Sequence, residues 1–426
     1  MKRTLFLLLT VLVLLYASLP AAAQKFQPKT IQFKGAPEYS DQELLAAAGL
    51  KMGTVLAFGD MKDHSQKLMD TGVFDTLSFK FDGVDLIYTL VSSTTLYPVR
   101  LENLPLTPGR ELDAALHERF PLYHGKVPTE NGLLESVRGA LEEMLAAKGI
   151  KATVEAMPYT DFKLHEVTAM SFAITAPPVR VGEIRVDGAS EALDPKAMEI
   201  LAKLTGSTYD VEGSPSQIET SLGNYYRDKG YLEAVVHATR LNDPIIGAEA
   251  VHVPFQVSVL PGALYRLAGI QLAPGLLVTQ ADFDKQSHIH PGVIATSPYV
   301  RENWQFIERQ YHNKGFMKAA VHPTASFDRA QGTVSYTVTA EPGPVYTMGK
   351  LTIGNTADDL RAAMLAAWKM PAGAVFNEGS ILGFYATHNV NPALERTVAS
   401  ANLKYVLTLN DDTHTVDVVL RLERRY

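Results

Sequence analysis

A turn signature recurs through this chain at intervals of about eighty residues. Its clearest copies are Lys229-Gly230-Tyr231 and Lys314-Gly315-Phe316. The turn residues of the five copies are separated by 77, 81, 85 and 87 residues, and they are Gly72, Gly149, Gly230, Gly315 and Asn402. Self-similarity at a nearly fixed period is typical of a chain built from repeated structural units. The spacing therefore predicts five small units in place of one undivided fold.

The residue types at the signature explain why a helix should end there. The residue after a helix often adopts the left-handed conformation, which glycine tolerates best and asparagine next best. A lysine just before it, as at Lys229 and Lys314, suits the negative end of the helix dipole. The copy without glycine has Asn402, as these backbone preferences require. The five turn residues are thus predicted to be structural.

The segments around each turn predict three strands and two helices in every unit. Runs of alternating polarity, such as Val334–Thr339, indicate strands, and Pro-rich joints such as Glu341–Pro344 precede the next unit. Ser40–Glu43 has the pattern of a capping box, and Asp194-Pro195 opens another helix. The predicted fold class is α+β. It is a tandem array of five β-α-α-β-β domains, each a three-stranded mixed sheet with two helices on one face.

The connections also predict the strand order within each sheet. A hairpin pairs the last strand antiparallel with the second, and a right-handed helical crossover pairs it with the first. The second strand then lies at an open edge with unpaired backbone groups. The second strands are predicted at residues 76–81, 151–157, 233–240, 317–326 and 404–409.

The joints divide the chain into a leader and five domains. Lys2 and Arg3, an apolar run from Leu5 to Leu19, and Ala21–Ala23 match a secretory signal peptide, so residues 1–23 are predicted to be removed. An uncleaved anchor is the alternative, for which the apolar run is short. The leader predicts a periplasmic protein, with peripheral association at the outer membrane as a further option. The predicted domains span residues 24–93, 94–177, 178–262, 263–343 and 344–426.

Composition excludes several classes of function. The formal charge is −7, from 39 basic and 46 acidic residues, so no basic surplus draws the chain to nucleic acid. The absence of cysteine excludes a disulfide framework, a thiolate zinc site and a cysteine nucleophile. The sequence contains no familiar set of nucleophile, base and orienting group. No catalytic residue, cofactor or small-molecule substrate is predicted.

One short segment has the residue types of a metal site. His288 and His290 can lie on one face of an extended segment, with Asp282 and Asp284 upstream. No third ligand follows at a convincing spacing, and Pro291-Gly292 indicates a loop. The histidines are interpreted as solvated loop residues and no metal site is predicted. An exported metal-dependent enzyme is kept as a remote alternative.

Three segments resemble the POTRA domain of BamA-type outer-membrane insertases. Glu341–Asn355 is similar to the joint and first strand of such a repeat, and Leu68–Phe74 to its helix, turn and strand. Tyr226–Tyr231 resembles the latter element in a middle repeat. The resemblance implies five POTRA-like domains (surface antigen variable-number repeats) with a role in outer-membrane protein assembly or translocation. It also implies a partner, either a separate outer-membrane β-barrel or another subunit of an assembly complex.

The chain departs from that family at its end. Insertases of this type continue into a membrane β-barrel, whereas this sequence stops at Arg424–Tyr426, where the fifth repeat's last strand ends. The smallest barrel needs about eight strands of roughly 9–11 residues. The expectation from the sequence is therefore a set of repeats without a barrel.

The open edges lead to the main functional hypothesis. An extended polypeptide can pair with an exposed second strand, so that main-chain hydrogen bonds supply affinity with little sequence demand. The predicted protein is a binding scaffold for unfolded or extended polypeptides and not an enzyme. The predicted contact residues are Ala234, Val236 and Ala238 in the third repeat and Met317, Ala319 and Val321 in the fourth. The alternative is a structural spacer in the periplasm that binds no client.

Overall fold

The computed structural model describes most of the chain. The described residues are 25–161, 163–187, 195–241, 243–287, 290–354, 356–386 and 401–424, with the backbone alone at 382, 385, 386, 401–403 and 422–424. The predicted signal peptide, residues 1–23, lies outside them. No helix within the described ranges is long and apolar enough to cross a membrane. Contacts group the chain into two compact units, residues 1–220 with 237–258 and residues 221–236 with 259–426.

The first repeat is a three-stranded sheet with two main helices. In chain order its elements are β1 (Lys25–Phe26), β2 (Thr30–Lys34), α1 (Asp41–Ala48), β3 (Leu56–Ala57), α2 (Phe58–Asp70), β4 (Phe74–Phe81) and β5 (Asp85–Ser92). The sheet order is β2-β5-β4, with β5 parallel to β2 and antiparallel to β4. The predicted capping box is confirmed, because the Ser40 hydroxyl accepts the Glu43 N–H and the Glu43 carboxylate accepts the Ser40 N–H.

The second repeat adds a short fourth strand to the same plan. Its elements are β6 (Leu96–Leu101), α3 (Arg110–Arg119), β7 (Lys126–Pro128), α4 (Gly132–Ala147), β8 (Thr153–Asp161) and β9 (Glu166–Ala176). The sheet order is β7-β6-β9-β8. On α4, Leu134, Val137 and Leu141 are buried, as their helical spacing predicts. These side chains turn one face of α4 toward the core.

The third repeat has a proline in its central strand. Its elements are β10 (Val179–Asp187), α5 (Pro195–Leu204), α6 (Gly213–Asp228), β11 (Val235–Arg240), β12 (Ile245–Ile246) and β13 (Val251–Leu260). The sheet order is β10-β13-β11, and β12 also pairs with β13. The β10–β13 register shifts between Val181 and Ile184, beside Pro254. A Cβ at Gly182 would lie 3.1 Å from the Pro254 nitrogen, so glycine and the bulge together accommodate a residue that cannot donate to the ladder.

The fourth and fifth repeats follow the same order of elements. The fourth has β14 (Arg266–Leu272), α7 (Gln280–Gln286), α8 (Ser297–His312), β15 (Ala320–Asp328) and β16 (Thr333–Glu341). The fifth has β17 (Thr347–Gly354), α9 (Asp358–Ala367), α10 (Gly379–Ala386), β18 (Ala401–Asn410) and β19 (Thr415–Arg424). Their sheet orders are β14-β16-β15 and β17-β19-β18. The predicted α+β fold is thus confirmed, with the second strand at one end of every main sheet.

The turn residues adopt two different conformations. Positive φ angles of 72°, 82°, 95° and 85° occur at Gly72, Gly149, Gly230 and Gly315. Asn402, in contrast, lies inside β18 opposite Glu423. The prediction of a turn at Asn402 is therefore wrong. The β18–β19 ladder extends over this residue, and its hydrogen bonds require an extended backbone.

The turn glycines of the second compact unit also form the joints to the following repeats. The Gly315 carbonyl accepts the Tyr346 N–H at 2.7 Å, and the Gly230 carbonyl accepts the Tyr265 N–H at 3.0 Å. A Cβ on Gly315 would lie 2.8 Å from the Tyr346 carbonyl oxygen and 2.8 Å from Val375 Cγ1. Glycine is required here both by its φ angle and by the close approach of the next repeat.

The joint between the third and fourth repeats contains a charged cluster. Glu233 accepts hydrogen bonds from the Tyr265 hydroxyl and from Arg329, whose Nε lies 3.1 Å from Glu233 Oε2. Tyr265 is fully buried, so its hydroxyl needs this partner. The hydrogen bond from Arg329, followed by that from Tyr265, lowers the pKa of Glu233. The cluster therefore favours an ionised Glu233.

The joint between the fourth and fifth repeats has the same arrangement with the charges exchanged. Lys318 donates to Asp411 at 2.6 Å, and the buried Tyr346 hydroxyl donates to the same carboxylate at 2.7 Å. The hydrogen bond from Lys318, followed by that from Tyr346, lowers the pKa of Asp411. One position before each charged residue, Leu232 and Met317 pack against the core of the following repeat.

Acid is expected to weaken the joint at Asp411. Because the folded pKa is lowered, its contribution is present above the ordinary value of 3.8 and is lost as pH falls through the folded value. Asp411→Asn should melt at a lower temperature than the parent protein at pH 7. Its melting temperature should also fall less than that of the parent protein when the pH is lowered to 3. Thermal melts at both pH values, with Asp412→Asn as the control in the same turn, check this. An unchanged acid response in Asp411→Asn would contradict it.

Candidate functional site

Each second strand has a sheet neighbour on one side only. The strands β4, β8, β11, β15 and β18 stand at the ends of their sheet orders. In the part of the chain that the structure describes, no strand pairs with their outer sides. Such edges carry backbone N–H and C=O groups that can pair with an added strand. The five edges are therefore candidate binding sites, and their backbone chemistry differs.

The predicted contact residues of the third repeat are partly misplaced. Ala234 is buried and precedes β11. It belongs to the turn after the glycine, because its N–H donates to the Tyr231 carbonyl at 3.0 Å. The prediction that Ala234 belongs to the edge strand is wrong for this reason. Val236 and Ala238 do lie in β11, where Val236 is half-buried and Ala238 is buried.

A carboxylate from the preceding helix occupies part of this edge. Glu219 of α6 accepts the Ala238 N–H at 2.9 Å with Oε1, which also lies 3.0 Å from His237 Nδ1. The donor that an added strand would use at Ala238 is therefore already satisfied. β11 is also only 6 residues long. Both features reduce what this edge can offer to an extended chain.

The predicted contact residues of the fourth repeat are also partly misplaced. Met317 and Ala319 precede β15, because their N–H groups donate to the Gly315 and Phe316 carbonyls at 2.9 and 3.1 Å. Their assignment to the edge strand is wrong, and Met317 packs at the joint with the fifth repeat. Val321 lies in β15, and its side chain packs against the core of the fourth repeat.

Prolines interrupt two of the edges. Pro323 lies in β15 opposite Val338, and Pro158 lies in β8 opposite Met170. A proline in an edge strand has its nitrogen on the open side, where no N–H is available to an added strand. In β8 the Val154 N–H is also occupied, by Glu142 Oε1 at 2.9 Å. The edges of the second and fourth repeats are thus blunted, in the sense that they offer fewer N–H donors to an added strand.

The edge of the fifth repeat has no such interruption. β18 pairs with β19 over ten residues in unbroken register and contains no proline. Tyr405, Leu407 and Leu409 pack against the repeat's core, while Val406 and Thr408 are exposed on the opposite face. The edge of the first repeat, β4, also lacks proline but is shorter and shifts register near its start. β18 is therefore the longest uninterrupted edge of the five.

This ranking differs from the residues that the sequence pointed to. A usable signal was present in the sequence, since Pro323 lies inside the strand predicted at 317–326. Glu142 and Glu219 gave no comparable signal, because the contact of a helix carboxylate with a strand amide depends on packing. The predicted edge residues thus lie in or beside partly blocked edges, and none of them lies in β18.

The histidine pair considered as a metal site is only partly described. His288 lies outside the described residues, and His290 is exposed. Asp282 accepts the Thr279 hydroxyl at 2.6 Å in the first turn of α7, and Asp284 accepts the Gln280 side-chain amide at 2.8 Å one turn later. These carboxylates serve the local structure of the helix.

Comparison with solved structures finds POTRA domains, the type that the sequence resembles. No protein-family model matches the chain. POTRA domains 3–5 of BamA from Haemophilus influenzae match at 16% identity and TM-score 0.42, covering 58% of this chain and 96% of that one. POTRA domains 1–3 of the periplasmic domain of Omp85 from Anabaena match at 17% identity and TM-score 0.25, and the match covers 59% of this chain and 98% of that one. CdiB from Escherichia coli matches at 14% identity and TM-score 0.19, and the match covers 56% of this chain and 36% of that one. At these identities the likeness concerns the fold.

Proposed function

We propose that this protein is a polypeptide-binding scaffold that holds extended chains by strand addition. The observation that carries the proposal is the edge of β18, ten residues long, in unbroken register and free of proline. Main-chain hydrogen bonds along this edge supply affinity that depends little on the client's sequence. The clients are unfolded or extended polypeptides.

The side chains of β18 support a modest preference among clients. On the exposed face, Val406 is 50% exposed and lies between Lys404 and Thr408. A strand added at the edge would place alternate side chains beside these residues. A client with an apolar residue next to Val406 gains contact there.

The proposed setting is outer-membrane protein assembly or translocation in the periplasm. It follows from the POTRA resemblance of the joint and turn segments. A separate outer-membrane β-barrel or another subunit of an assembly complex is the proposed partner. The proposed repeats keep the bounds expected from the sequence, namely 24–93, 94–177, 178–262, 263–343 and 344–426.

A proline transferred between repeats tests the proposal. The hairpins after β15 and β18 both have four-residue connections, so Tyr405, five residues before Asn410, corresponds to Pro323, five before Asp328. Tyr405→Pro removes an N–H at a position where the fourth repeat tolerates proline. With a photo-crosslinking residue at Thr408, we expect client capture in cells to fall about 2- to 12-fold, the equivalent of one hydrogen bond.

Two further variants sharpen this test. Tyr405→Ala loses the ring but keeps the N–H, so it should retain most of the capture. Pro323→Tyr restores a donor to β15, and capture from a crosslinker at Ser326, the position that corresponds to Thr408, should increase. Circular dichroism checks that both variants are folded. If folded Tyr405→Pro and Tyr405→Ala then capture clients equally, strand addition at β18 is contradicted.

A structural spacer is the second candidate function. The observation that favours it is the pair of charge-exchanged clusters, Glu233 with Arg329 and Lys318 with Asp411, at successive joints. Such clusters select one arrangement of neighbouring repeats. A spacer predicts that crosslinkers on β18 capture one fixed partner, whereas the scaffold predicts many extended chains.

A further inference from the structure

Three potential metal ligands from two repeats meet beside α1. They are Glu43 in the first turn of α1, His117 in the last turn of α3, and His124 in the loop after it. One ligand atom from each lies within 4.8 Å of the others. Glu43 Oε1 is 2.9 Å from His124 Nε2 and 3.5 Å from His117 Nε2. Glu43 belongs to the first repeat and both histidines to the second.

Neighbouring groups orient each of these side chains. The Tyr123 carbonyl lies 2.9 Å from His117 Nδ1, and because a carbonyl only accepts, Nδ1 carries the proton. His117 Nε2, the other ring nitrogen, faces Glu43 Oε1 at 3.5 Å. Glu43 Oε2 accepts hydrogen bonds from the Ser40 N–H at 2.6 Å and the Ser40 hydroxyl at 2.8 Å, which leaves Oε1 for the histidines. Outer contacts of this kind are what fixes metal ligands in proteins.

The histidine at the rim is held by aromatic packing. The ring of His124 lies 4.9 Å from the Tyr39 ring and 5.2 Å from the His117 ring. The side chains of His117, His124 and Glu43 are 45%, 38% and 20% exposed. The cluster is thus ordered on its inner side and open to solvent on the other. An incoming ion can reach it, and water can complete its coordination.

The hydrogen bonds around Glu43 favour the ionised form of its carboxylate. Partial burial raises its pKa, but hydrogen bonds from the Ser40 N–H, the Ser40 hydroxyl and His124 outweigh it and lower the pKa to about 2.

The ligand types and spacings match zinc and do not match calcium or magnesium. Two histidine nitrogens and one carboxylate oxygen, with water in the fourth position, are a common tetrahedral zinc set. With metal–ligand bonds of about 2.0–2.2 Å, the ligand atoms of a tetrahedron lie roughly 3.3 Å apart. The spacings of 2.9 and 3.5 Å to Glu43 Oε1 lie on either side of that value. Calcium and magnesium prefer oxygen ligands alone.

We propose that Glu43, His117 and His124 bind one zinc ion that joins the first and second repeats. The ion replaces the hydrogen bond between His124 and Glu43, and the proton of His124 moves to its other ring nitrogen or to solvent. Binding ties the start of α1 to the end of α3. The site is independent of the strand edges and of the proposed client binding.

Calorimetric titration of the purified, EDTA-treated protein with zinc chloride tests this proposal. We expect one saturable site per chain. His117→Ala and His124→Ala should each weaken binding by more than the roughly 100-fold that loss of an outer-shell partner can cause. Ser40→Ala, which removes one of the two hydrogen bonds that hold Glu43 Oε2, should weaken it about 10- to 100-fold. Magnesium chloride should give no comparable binding.

His237→Ala is the matched control. His237 Nδ1 lies 3.0 Å from Glu219 Oε1, so this pair resembles His124 with Glu43, but no described residue adds a second histidine to it. Its removal should leave zinc binding unchanged. Absence of saturable zinc binding to the parent protein would overturn the proposal. Unchanged affinity in a folded His117→Ala/His124→Ala double variant would overturn it as well.

Discussion

Gly315→Ala is expected to destabilise the protein by about 2–4 kcal/mol, against about 1–2 kcal/mol for Gly292→Ala. Both glycines have positive φ, 85° and 92°, so alanine is strained at either position. At Gly315 the added Cβ would also lie 2.8 Å from the Tyr346 carbonyl oxygen and 2.8 Å from Val375 Cγ1. Relief of that contact moves the two repeats apart at the joint and weakens the hydrogen bond from Tyr346.

Gly292 is a matched control because an added Cβ there has no heavy atom within 4 Å beyond its chain neighbours. Denaturant unfolding of the two variants and the parent protein measures the difference. Since φ strain is common to both, the excess loss in Gly315→Ala reports the close approach at the joint. Equal losses would mean that backbone conformation alone explains the turn glycines.

Reversing one charge at the joint of the third and fourth repeats is expected to lower the melting temperature, and reversing both is expected to restore most of it. Glu233→Lys places a cation beside Arg329 and deprives the buried Tyr265 hydroxyl of its acceptor. Glu233→Lys with Arg329→Glu recreates an acceptor and an ion pair with the charges exchanged. The joint at Lys318 and Asp411 already has that polarity.

The control for this reversal is Glu183→Lys. Glu183 and Arg185 form an exposed pair at 2.9 Å within one strand, away from a buried hydroxyl. Its reversal should change the melting temperature little, because exposed pairs contribute little to stability. If Glu233→Lys behaves in the same way, the cluster is a surface ion pair without a role in the joint.

Local chemistry can be read directly from short segments of the sequence. Ser40 and Glu43 predicted a capping box because both hydrogen bonds lie within four residues. Gly230 and Gly315 predicted left-handed turns because few residues tolerate that conformation. The hairpin and the helical crossover predicted the strand order, since right-handed connections leave one sensible pairing. These features depend on neighbouring residues and on general chirality.

The predicted strand starts failed where a turn extended beyond the glycine. Ala234 and Ala319 look like strand residues by alternation, yet their N–H groups are used by the turn. Asn402 has the composition of a turn, but pairing with β19 holds it in a strand. At Ala234 and Ala319 local turn bonds replaced the predicted strand, and at Asn402 pairing with a distant strand outweighed the local turn preference.

The candidate sites show the same division. Pro323 marked a blunted edge in the sequence itself, whereas the covering of Ala238 by Glu219 came from helix packing. The proposed zinc ligands Glu43 and His124 are 81 residues apart, and no short motif connects them.

By itself, the sequence determined the repeat, the α+β class and the position of the second strand at an edge, because these follow from periodicity, turn chemistry and chain connectivity. Only the tertiary structure decided which edge amides are covered by helix carboxylates and which charged residues meet across the joints. Those outcomes depend on side chains that approach from distant segments, and burial rather than spacing determines where their hydrogen bonds go.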